Sequence, residues 1–175
     1  MVAQQGTGKK RWYALYTKSR AEKKVAKELQ LRGIEAYLPL EKRLKQWSDR
    51  KKWVEEPLIR SYIFVHTNLK GLHNAVYTPG VVKIVTFEGK PAPIPDKQIQ
   101  AIKNVLSSKE IYEVTSDNFE LGEMVEVKQG RLKGLQGEMV RHLNKYKVLI
   151  RIEVIQQNLM VNINPSYLKK MEEKV

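Results

Sequence analysis

The apolar positions of the first hundred residues follow helical and extended periods in alternation. Residues 11–17 carry aromatic and aliphatic side chains on both faces, which predicts a central strand. Ala21, Val25 and Leu29 then recur at helical spacing, with lysines on the other faces. The remaining segments predict extended chain at 34–39, strands at 58–66 and 81–87, and helices at 69–77 and from 95 onward. This order predicts a mostly antiparallel sheet flanked by helices, an α+β domain.

Local signals place the ends of the first helix. Ser19, followed three residues later by Glu22, forms a capping-box pattern in which each side chain binds the other residue's backbone N–H. Gly33 follows the last apolar position and suits the left-handed residue that often ends a helix. We therefore expect a helix that starts at Ser19 and stops before Gly33.

The charge-dense segment 41–56 contains two tryptophans and predicts a ribbon or a long loop. Trp47 and Trp53 flank Arg50, Lys51 and Lys52. The indoles either pack the ribbon back on the sheet or contact upstream DNA. We favour packing as the explanation.

The second half of the chain keeps only an extended period. Polar residues dominate 108–119, which we interpret as a linker, and residues 1–10 are expected to form a flexible tail. Beyond the linker, several short alternating segments are separated by turns that contain Gly and Asn. The clearest of these segments contains Tyr146, Val148, Ile150, Ile152 and Val154. Short strands of this kind predict a small all-β barrel over 120–172.

The basic charge of the chain is concentrated in its first third. The formal net charge is +13, and residues 9–60 contain 16 Lys/Arg and 7 Asp/Glu, which gives +9 for that segment. A basic surface confined to one module favours a polyanionic partner, because bound phosphates release their counterions. The alternative is a protein that happens to be basic, and we favour a nucleic acid or a nucleic-acid machine.

Composition excludes several kinds of site. The chain has no cysteine, and His66, His73 and His142 have no metal-ligand spacing. We find no phosphate-binding loop, no nucleophile constellation and no pair of acidic residues in a metal motif. The N-terminus lacks a signal-peptide core, and no apolar run approaches the ~20 residues of a membrane span. We expect a cytoplasmic, non-enzymatic protein with no cofactor, no catalytic residue and no metal or membrane partner.

A glycine-punctuated stretch distinguishes the second module. Residues 122–127 are followed by Gly130, Gly134 and Gly137, a spacing that fits a tight loop leading into a strand where the backbone needs positive φ. The plain interpretation of these glycines is barrel architecture. The stretch also resembles the KOW motif, which occurs in SH3-like barrels of transcription and ribosome proteins.

The first module resembles the NusG N-terminal (NGN) domain. The resemblance is carried by Trp12-Tyr13 on the first strand, a basic first helix, residues 62–65 on a later strand, and Pro79-Gly80-Val81 before another. The order NGN domain (11–107), linker and KOW domain is similar to that of the NusG family. Residues 47–53 look most like the specialised RfaH and UpxY paralogues, which act as antiterminators.

The resemblance implies that the NGN domain binds the clamp helices of the RNA polymerase large subunit and disfavours pausing. The apolar docking patch of the family matches Tyr62 and Phe64, with Trp12 beside them. Strand alternation agrees: Ile63 and Val65 on the core face leave Tyr62 and Phe64 facing outward or toward a helix. An exposed aromatic pair is an interface candidate, and the alternative is that a helix covers it.

The resemblance also implies a contact with the non-template DNA strand. The matching basic residues lie around the start of the first helix. They are Lys18, Arg20, Lys23, Lys24 and Lys27. A groove of cations with nearby aromatic rings suits single-stranded DNA. A solvated basic helix face is the alternative.

His73 and Asn74 lie where some relatives contact the gate loop of the polymerase, although a surface helix without a role is the simpler explanation.

The KOW domain of the general factor recruits Rho or a ribosomal protein, and the matching turn here is 154–158. Alternation predicts that Val154 points inward and Ile155 outward, so that Ile155 is a possible partner contact. The family's Phe-Gly-Arg at this turn is missing, and Arg131-Leu132 replaces its Pro-Phe.

We expect a monomeric, operon-specific elongation and antitermination factor. The alternatives are a general NusG acting in Rho-dependent termination and a KOW-type ribosomal or rRNA-binding protein.

Overall fold

The computed structural model of the protein describes residues 8–117, 122–143 and 145–171. The chain divides into two compact units, Met1–Asp96 and Lys97–Val175. The predicted N-terminal tail lies almost wholly outside the described residues. Among those residues, no helix is both long enough and apolar enough to cross a membrane.

The first unit combines eight strands with two helices in the described residues. In chain order they are β1 (Arg11–Thr17), α1 (Glu22–Leu31), β2 (Glu35–Tyr37), β3 (Leu40–Gln46), β4 (Lys51–Pro57), β5 (Tyr62–Thr67), α2 (Leu69–Val76), β6 (Val81–Ile84), β7 (Thr86–Phe87) and β8 (Lys90–Pro91). Four of the strands form an antiparallel sheet in the order β2-β5-β1-β6. This confirms the predicted α+β arrangement.

The core of the first unit lies on one face of this sheet. The strands contribute Tyr13, Leu15, Ile63 and Val65, and the helices contribute Val25, Leu29, Leu72 and Ala75. The helical spacing of Val25 and Leu29 and the alternation of Ile63 and Val65 are therefore confirmed. Burying each large aliphatic side chain contributes about 1.5–3 kcal/mol, so this cluster fixes the helices on the sheet.

The start of α1 differs from the prediction, whereas its end agrees. The N-cap is Ala21, which makes no side-chain capping hydrogen bond, and the helix begins at Glu22. Arg20 has φ of +63°, a left-handed conformation that helical residues do not adopt, so the helix cannot extend back to Ser19. Gly33, with φ of +72°, follows the C-cap Arg32, as predicted.

Two hairpins extend the first unit beyond its sheet. Among the described residues, strands β3 and β4 pair only with each other, from Leu40↔Pro57 to Gln46↔Lys51, which confirms the predicted ribbon. Strands β7 and β8 form a short hairpin whose turn contains Glu88 and Gly89, both with positive φ. The strand predicted over 81–87 is therefore interrupted after Ile84.

The second unit consists of helix α3 (Asp96–Ser108) and a six-stranded antiparallel sheet. The strands are β9 (Tyr112–Thr115), β10 (Glu123–Val127), β11 (Gln136–His142), β12 (Lys145–Ile152), β13 (Gln157–Val161) and β14 (Leu168–Lys170), and their order is β14-β10-β11-β12-β13-β9. The segment predicted as a linker contains β9, which pairs with β13. Within the described residues no pairing joins β14 to β9, so the sheet is not closed into a barrel.

Glycines in this sheet serve two different purposes. Gly130 and Gly134 have φ of +81° and +88°, as the sequence predicts for a tight loop. Gly137 instead lies within β11, where a Cβ atom would come 2.6 Å from the backbone oxygen of Leu149. Its role is to allow the close approach of β12, so the sequence expectation of positive φ is wrong for this glycine.

Candidate nucleic-acid and partner interface

The face of the four-stranded sheet that points away from α1 and α2 carries six aromatic rings. We call it the aromatic sheet face, and it consists of Trp12, Tyr16, Tyr37, Tyr62, Phe64 and His66. The strand register places these rings in three cross-strand pairs, Trp12↔His66, Tyr16↔Tyr62 and Tyr37↔Phe64. The centroids within the pairs are 5.0, 5.3 and 6.4 Å apart. Such cross-strand aromatic pairs stabilise a sheet.

Burial divides the three predicted polymerase-binding residues. Phe64 is fully buried and Trp12 is 7% exposed, whereas Tyr62 is only half-buried. The prediction of two adjacent exposed aromatics is therefore wrong for Phe64, although the prediction of its face is right. Alternation determines the direction of a side chain, but its exposure depends on neighbours such as Tyr37, which stacks on Phe64.

The phenols on this face are partly removed from water. Burial raises the pKa of Tyr37 to about 12. Burial, together with the neighbouring Tyr16, also raises the pKa of Tyr62. A phenol is neutral at physiological pH even without such a shift, so both side chains offer a ring and a hydroxyl rather than a charge. At the edge of the face, His66 Nδ1 lies 2.8 Å from Glu35 Oε2.

The basic residues predicted for DNA contact are all exposed. We call Lys18, Arg20, Lys23, Lys24 and Lys27 the basic cluster. Lys18 and Arg20 lie in the turn between β1 and α1, and the other three lie on the solvent side of α1. The Lys23 amine donates a hydrogen bond of 2.8 Å to the backbone oxygen of Glu55 in β4. The cluster therefore continues from the helix to the β3–β4 hairpin.

The tryptophans of the hairpin face solvent. Trp53 is 65% exposed and Trp47 is 44% exposed, so the expectation that they pack on the sheet is wrong. The two strands of the hairpin do not pair with the four-stranded sheet, so that sheet does not cover their side chains. The guanidinium of Arg50 lies over the ring of Trp47, 5.7 Å from its centroid, in a cation–π arrangement.

A family model described as NusG, transcription termination factor, matches residues 10–103, which is more than half of the 175 residues. The chain belongs to the NusG family. The match includes the basic cluster, the hairpin and the whole aromatic sheet face.

Relatives span nearly the whole chain. A transcription termination/antitermination protein NusG from Rickettsia felis is 28% identical over 158 residues, which cover 82% of each chain. The protein of the same description from Staphylococcus aureus is 24% identical and covers 94% of this chain and 97% of its own. The solved structure of Thermotoga maritima NusG is similar in fold, with a TM-score of 0.50, 24% identity, and coverage of 94% and 98%. The similarity therefore includes both units.

The NusG-type gate-loop candidates lie on the surface of α2. His73 and Asn74 are exposed. The His73 ring packs edge-to-face on Tyr77, with the centroids 5.5 Å apart. Both side chains are accessible on α2, and their contact with the gate loop stays a prediction.

Ile155, the candidate partner contact of the second unit, is buried at 4% exposure. It ends a 3-10 turn, Glu153–Ile155, which is followed by Gln156 with φ of +52°. The prediction that Ile155 points outward is wrong, because this turn replaces the two-residue alternation on which the prediction rested.

Three members of the aromatic sheet face were not among the predicted site residues. Tyr16 follows Trp12 at an even spacing, so alternation along β1 would have placed it on the same face. His66 follows Tyr62 and Phe64 at the same even spacing along β5, so alternation would have placed it there as well. Tyr37 joins the face only through the pairing of β2 with β5, which no local pattern reveals. In the described residues, no three His, Asp or Glu side chains are grouped so that they could hold a metal ion.

Proposed function

We propose that this protein is a transcription elongation and antitermination factor that binds RNA polymerase through the aromatic sheet face of its first unit. The observation that carries the proposal is the NusG family match over residues 10–103, the segment that contains this face. The relatives named as termination/antitermination proteins share both units of the chain. A protein of this kind acts in the cytoplasm, beside the polymerase, without chemistry of its own.

Tyr62 is the accessible part of the proposed polymerase contact. It is half-buried beside Tyr16, whereas Phe64 is fully buried and Trp12 nearly so. A partner can therefore reach Tyr62 directly, and it reaches Phe64 only after neighbouring groups move. By resemblance to the family, the partner element is the pair of clamp helices on the large polymerase subunit.

The basic cluster is proposed to hold the non-template DNA strand of the transcription bubble. Five exposed cations around the first turn of α1 supply charge for phosphates, and the helix N-terminus adds partial positive charge to the same end. The altered turns of the second unit, in which Arg131-Leu132 replaces the family's Pro-Phe and the Phe-Gly-Arg is missing, favour an operon-specific factor over the general one.

The six-stranded sheet of the second unit is proposed to form an SH3-like KOW domain that recruits a partner such as Rho or a ribosomal protein, whereas helix α3 of that unit is assigned to the NGN domain. Its short antiparallel strands and its left-handed glycines at 130 and 134 support this assignment. The proposed boundaries are 11–107 for the NGN domain and 120–172 for the KOW domain, with β9 contributing an edge strand from the linker.

A binding experiment with purified RNA polymerase tests the proposal. Tyr62→Ala is expected to weaken binding at least tenfold, because an aromatic anchor at an interface typically contributes about 2 kcal/mol or more. Tyr146→Ala, which removes an exposed tyrosine from the second unit, is the matched control and should bind as the wild type does. Equal binding by wild type and Tyr62→Ala would contradict the proposed contact.

The burial of Phe64 determines which variant is informative. Replacing a fully buried phenylalanine by alanine costs about 3–5 kcal/mol of stability, so Phe64→Ala could lose binding through unfolding. Tyr62→Ala removes a half-buried ring and leaves the helix-side core intact. A thermal melt of each variant should accompany the binding measurement.

A further inference from the structure

The β3–β4 hairpin has two faces of different composition. The register pairs Leu44 with Trp53, Lys42 with Glu55, and Gln46 with Lys51. Because cross-strand partners share a face, these six residues form one surface, which we call the Trp53 face. Leu44 and Trp53 at its centre are 50% and 65% exposed.

The opposite face neutralises much of its own charge. The guanidinium of Arg43 lies 2.6 Å from Glu41, and the amine of Lys45 donates a hydrogen bond to Glu56. That hydrogen bond is the main reason why the pKa of Glu56 is lowered. Asp49 lies 4.0 Å from Arg50, so three of the hairpin's four acidic residues are paired with its own cations. From Lys42 to Trp53 the chain contains six Lys/Arg and one acidic residue, Asp49.

The chemistry of the Trp53 face favours a nucleic acid over a protein partner. Protein interfaces are depleted in lysine, whereas this apolar pair lies between Lys42 and Lys51. Aromatic rings beside cations are the combination that binds single strands, because bases stack on the rings while the cations neutralise phosphates. Duplex DNA exposes base faces only at its ends, so an exposed indole favours an unpaired strand.

The Trp53 face adjoins the basic cluster. The hydrogen bond from the Lys23 amine to the Glu55 backbone oxygen joins α1 to the strand that carries Trp53. Seven residues of strand extend about 23 Å at ~3.3 Å per residue, so the hairpin lengthens the basic surface considerably. A strand held along the basic cluster can therefore continue over the hairpin.

We propose that the Trp53 face binds single-stranded nucleic acid, with a base stacked on the Trp53 indole and the adjoining phosphates held by Lys42, Lys51 and the basic cluster. The inference rests on the proposed function in one respect, since the strand is the one that a transcription bubble exposes. The proposal gives the hairpin a specific ligand, an unpaired strand, and a specific contact, the Trp53 indole.

A titration of the full chain with the oligonucleotide dT12 tests this role, with fluorescence anisotropy of the labelled DNA as the readout. Trp53→Ala is expected to weaken binding about 5- to 150-fold, because stacking contributes about 1–3 kcal/mol per base. Trp53→Phe keeps a stacking ring and should retain most of the affinity. Trp47→Ala is the matched control, because Trp47 lies outside the Trp53 face and packs with Arg50.

Three results would overturn the inference. They are an unchanged affinity of Trp53→Ala for dT12, an equal loss in Trp47→Ala, and a duplex of the same length that binds as tightly as dT12 with the same dependence on Trp53. Trp53 is mostly exposed, so its replacement should leave the thermal melt unchanged and the comparison interpretable.

Polymerase binding by the same variants separates this inference from the proposed function. Trp53→Ala should still bind polymerase, because the aromatic sheet face is intact. If wild type binds polymerase but dT12 affinity does not depend on Trp53, the inference alone fails. If wild type does not bind polymerase, the proposed function fails, whereas a dependence of dT12 binding on Trp53 would still support the binding face.

Discussion

At the scale of single residues, Glu22 connects two distant parts of the first unit. Its side chain is 4% exposed, and Oε1 accepts a hydrogen bond of 2.7 Å from the backbone N–H of Ser61. Ser61 has φ of +62°, and its backbone oxygen accepts a hydrogen bond from Thr17. The carboxylate therefore stabilises the turn that leads into β5, the strand that carries Tyr62.

Replacing Glu22 should destabilise the first unit. Glu22→Ala leaves the Ser61 N–H without its acceptor, and we expect a loss of about 1–3 kcal/mol in the free energy of unfolding. Glu22→Gln keeps an amide oxygen that can accept the same hydrogen bond, so its loss should be smaller. Urea unfolding of the three proteins measures the difference. Equal stability of wild type and Glu22→Ala would show that the hydrogen bond does not contribute to the free energy of unfolding.

Glu22 also shows where prediction from sequence ends at this scale. The capping-box pattern correctly singled out Glu22, but it assigned the wrong partner. The true partner, Ser61, lies 39 residues away along the chain. Phe64 is a similar case, because alternation gives its face while its burial depends on β2 and on Tyr37. Local sequence patterns determine the direction in which a side chain points, whereas contacts with distant segments determine its burial and its hydrogen-bond partners.

At the scale of elements, strongly periodic segments were predictable. Helix α2, the start of α3 at Asp96 and strand β1 agree with the periods in the sequence, whereas α1 begins at Glu22 instead of Ser19 and β5 begins at Tyr62 instead of residue 58. The strand β9 was missed, because four residues at the edge of a sheet carry too little alternation to stand out from a polar segment. Its place becomes visible only through its pairing with β13.

The basic cluster makes a prediction about salt. Lys24 and Lys27 lie on the exposed side of α1, whereas the Lys23 amine already binds Glu55. The double variant Lys24→Gln/Lys27→Gln should reduce the dependence of log K on log salt by about 1.4 for a bubble template, since each phosphate contact contributes about 0.7 for a single strand.

Binding measurements at several salt concentrations provide this slope. Lys133→Gln/Lys169→Gln removes the same charge from exposed positions of the second unit and should leave the slope unchanged. If both double variants retain the wild-type slope, the cluster is a solvated helix face and not a DNA contact.

At the scale of the whole molecule, the charge distribution indicates a class of ligand, whereas the fold indicates a biological process. The concentration of charge in residues 9–60 indicates only a polyanion. The family match, together with an aromatic sheet face in the same unit, indicates a transcription complex. The order of an α+β unit and a β-rich unit could be predicted from the sequence. The pairing order of the six-stranded sheet could not, because it depends on contacts between distant segments.

Transcription by purified RNA polymerase past a terminator, on the protein's own operon leader and on an unrelated template, tests whether the protein acts on polymerase through the aromatic sheet face. We expect wild-type protein to increase readthrough on its own leader only, and Tyr62→Ala to give the level seen without protein. Readthrough on both templates would contradict operon specificity and favour the general factor. Unchanged readthrough with wild-type protein on both templates, or full activity of Tyr62→Ala, would contradict the proposed action on polymerase through the aromatic sheet face.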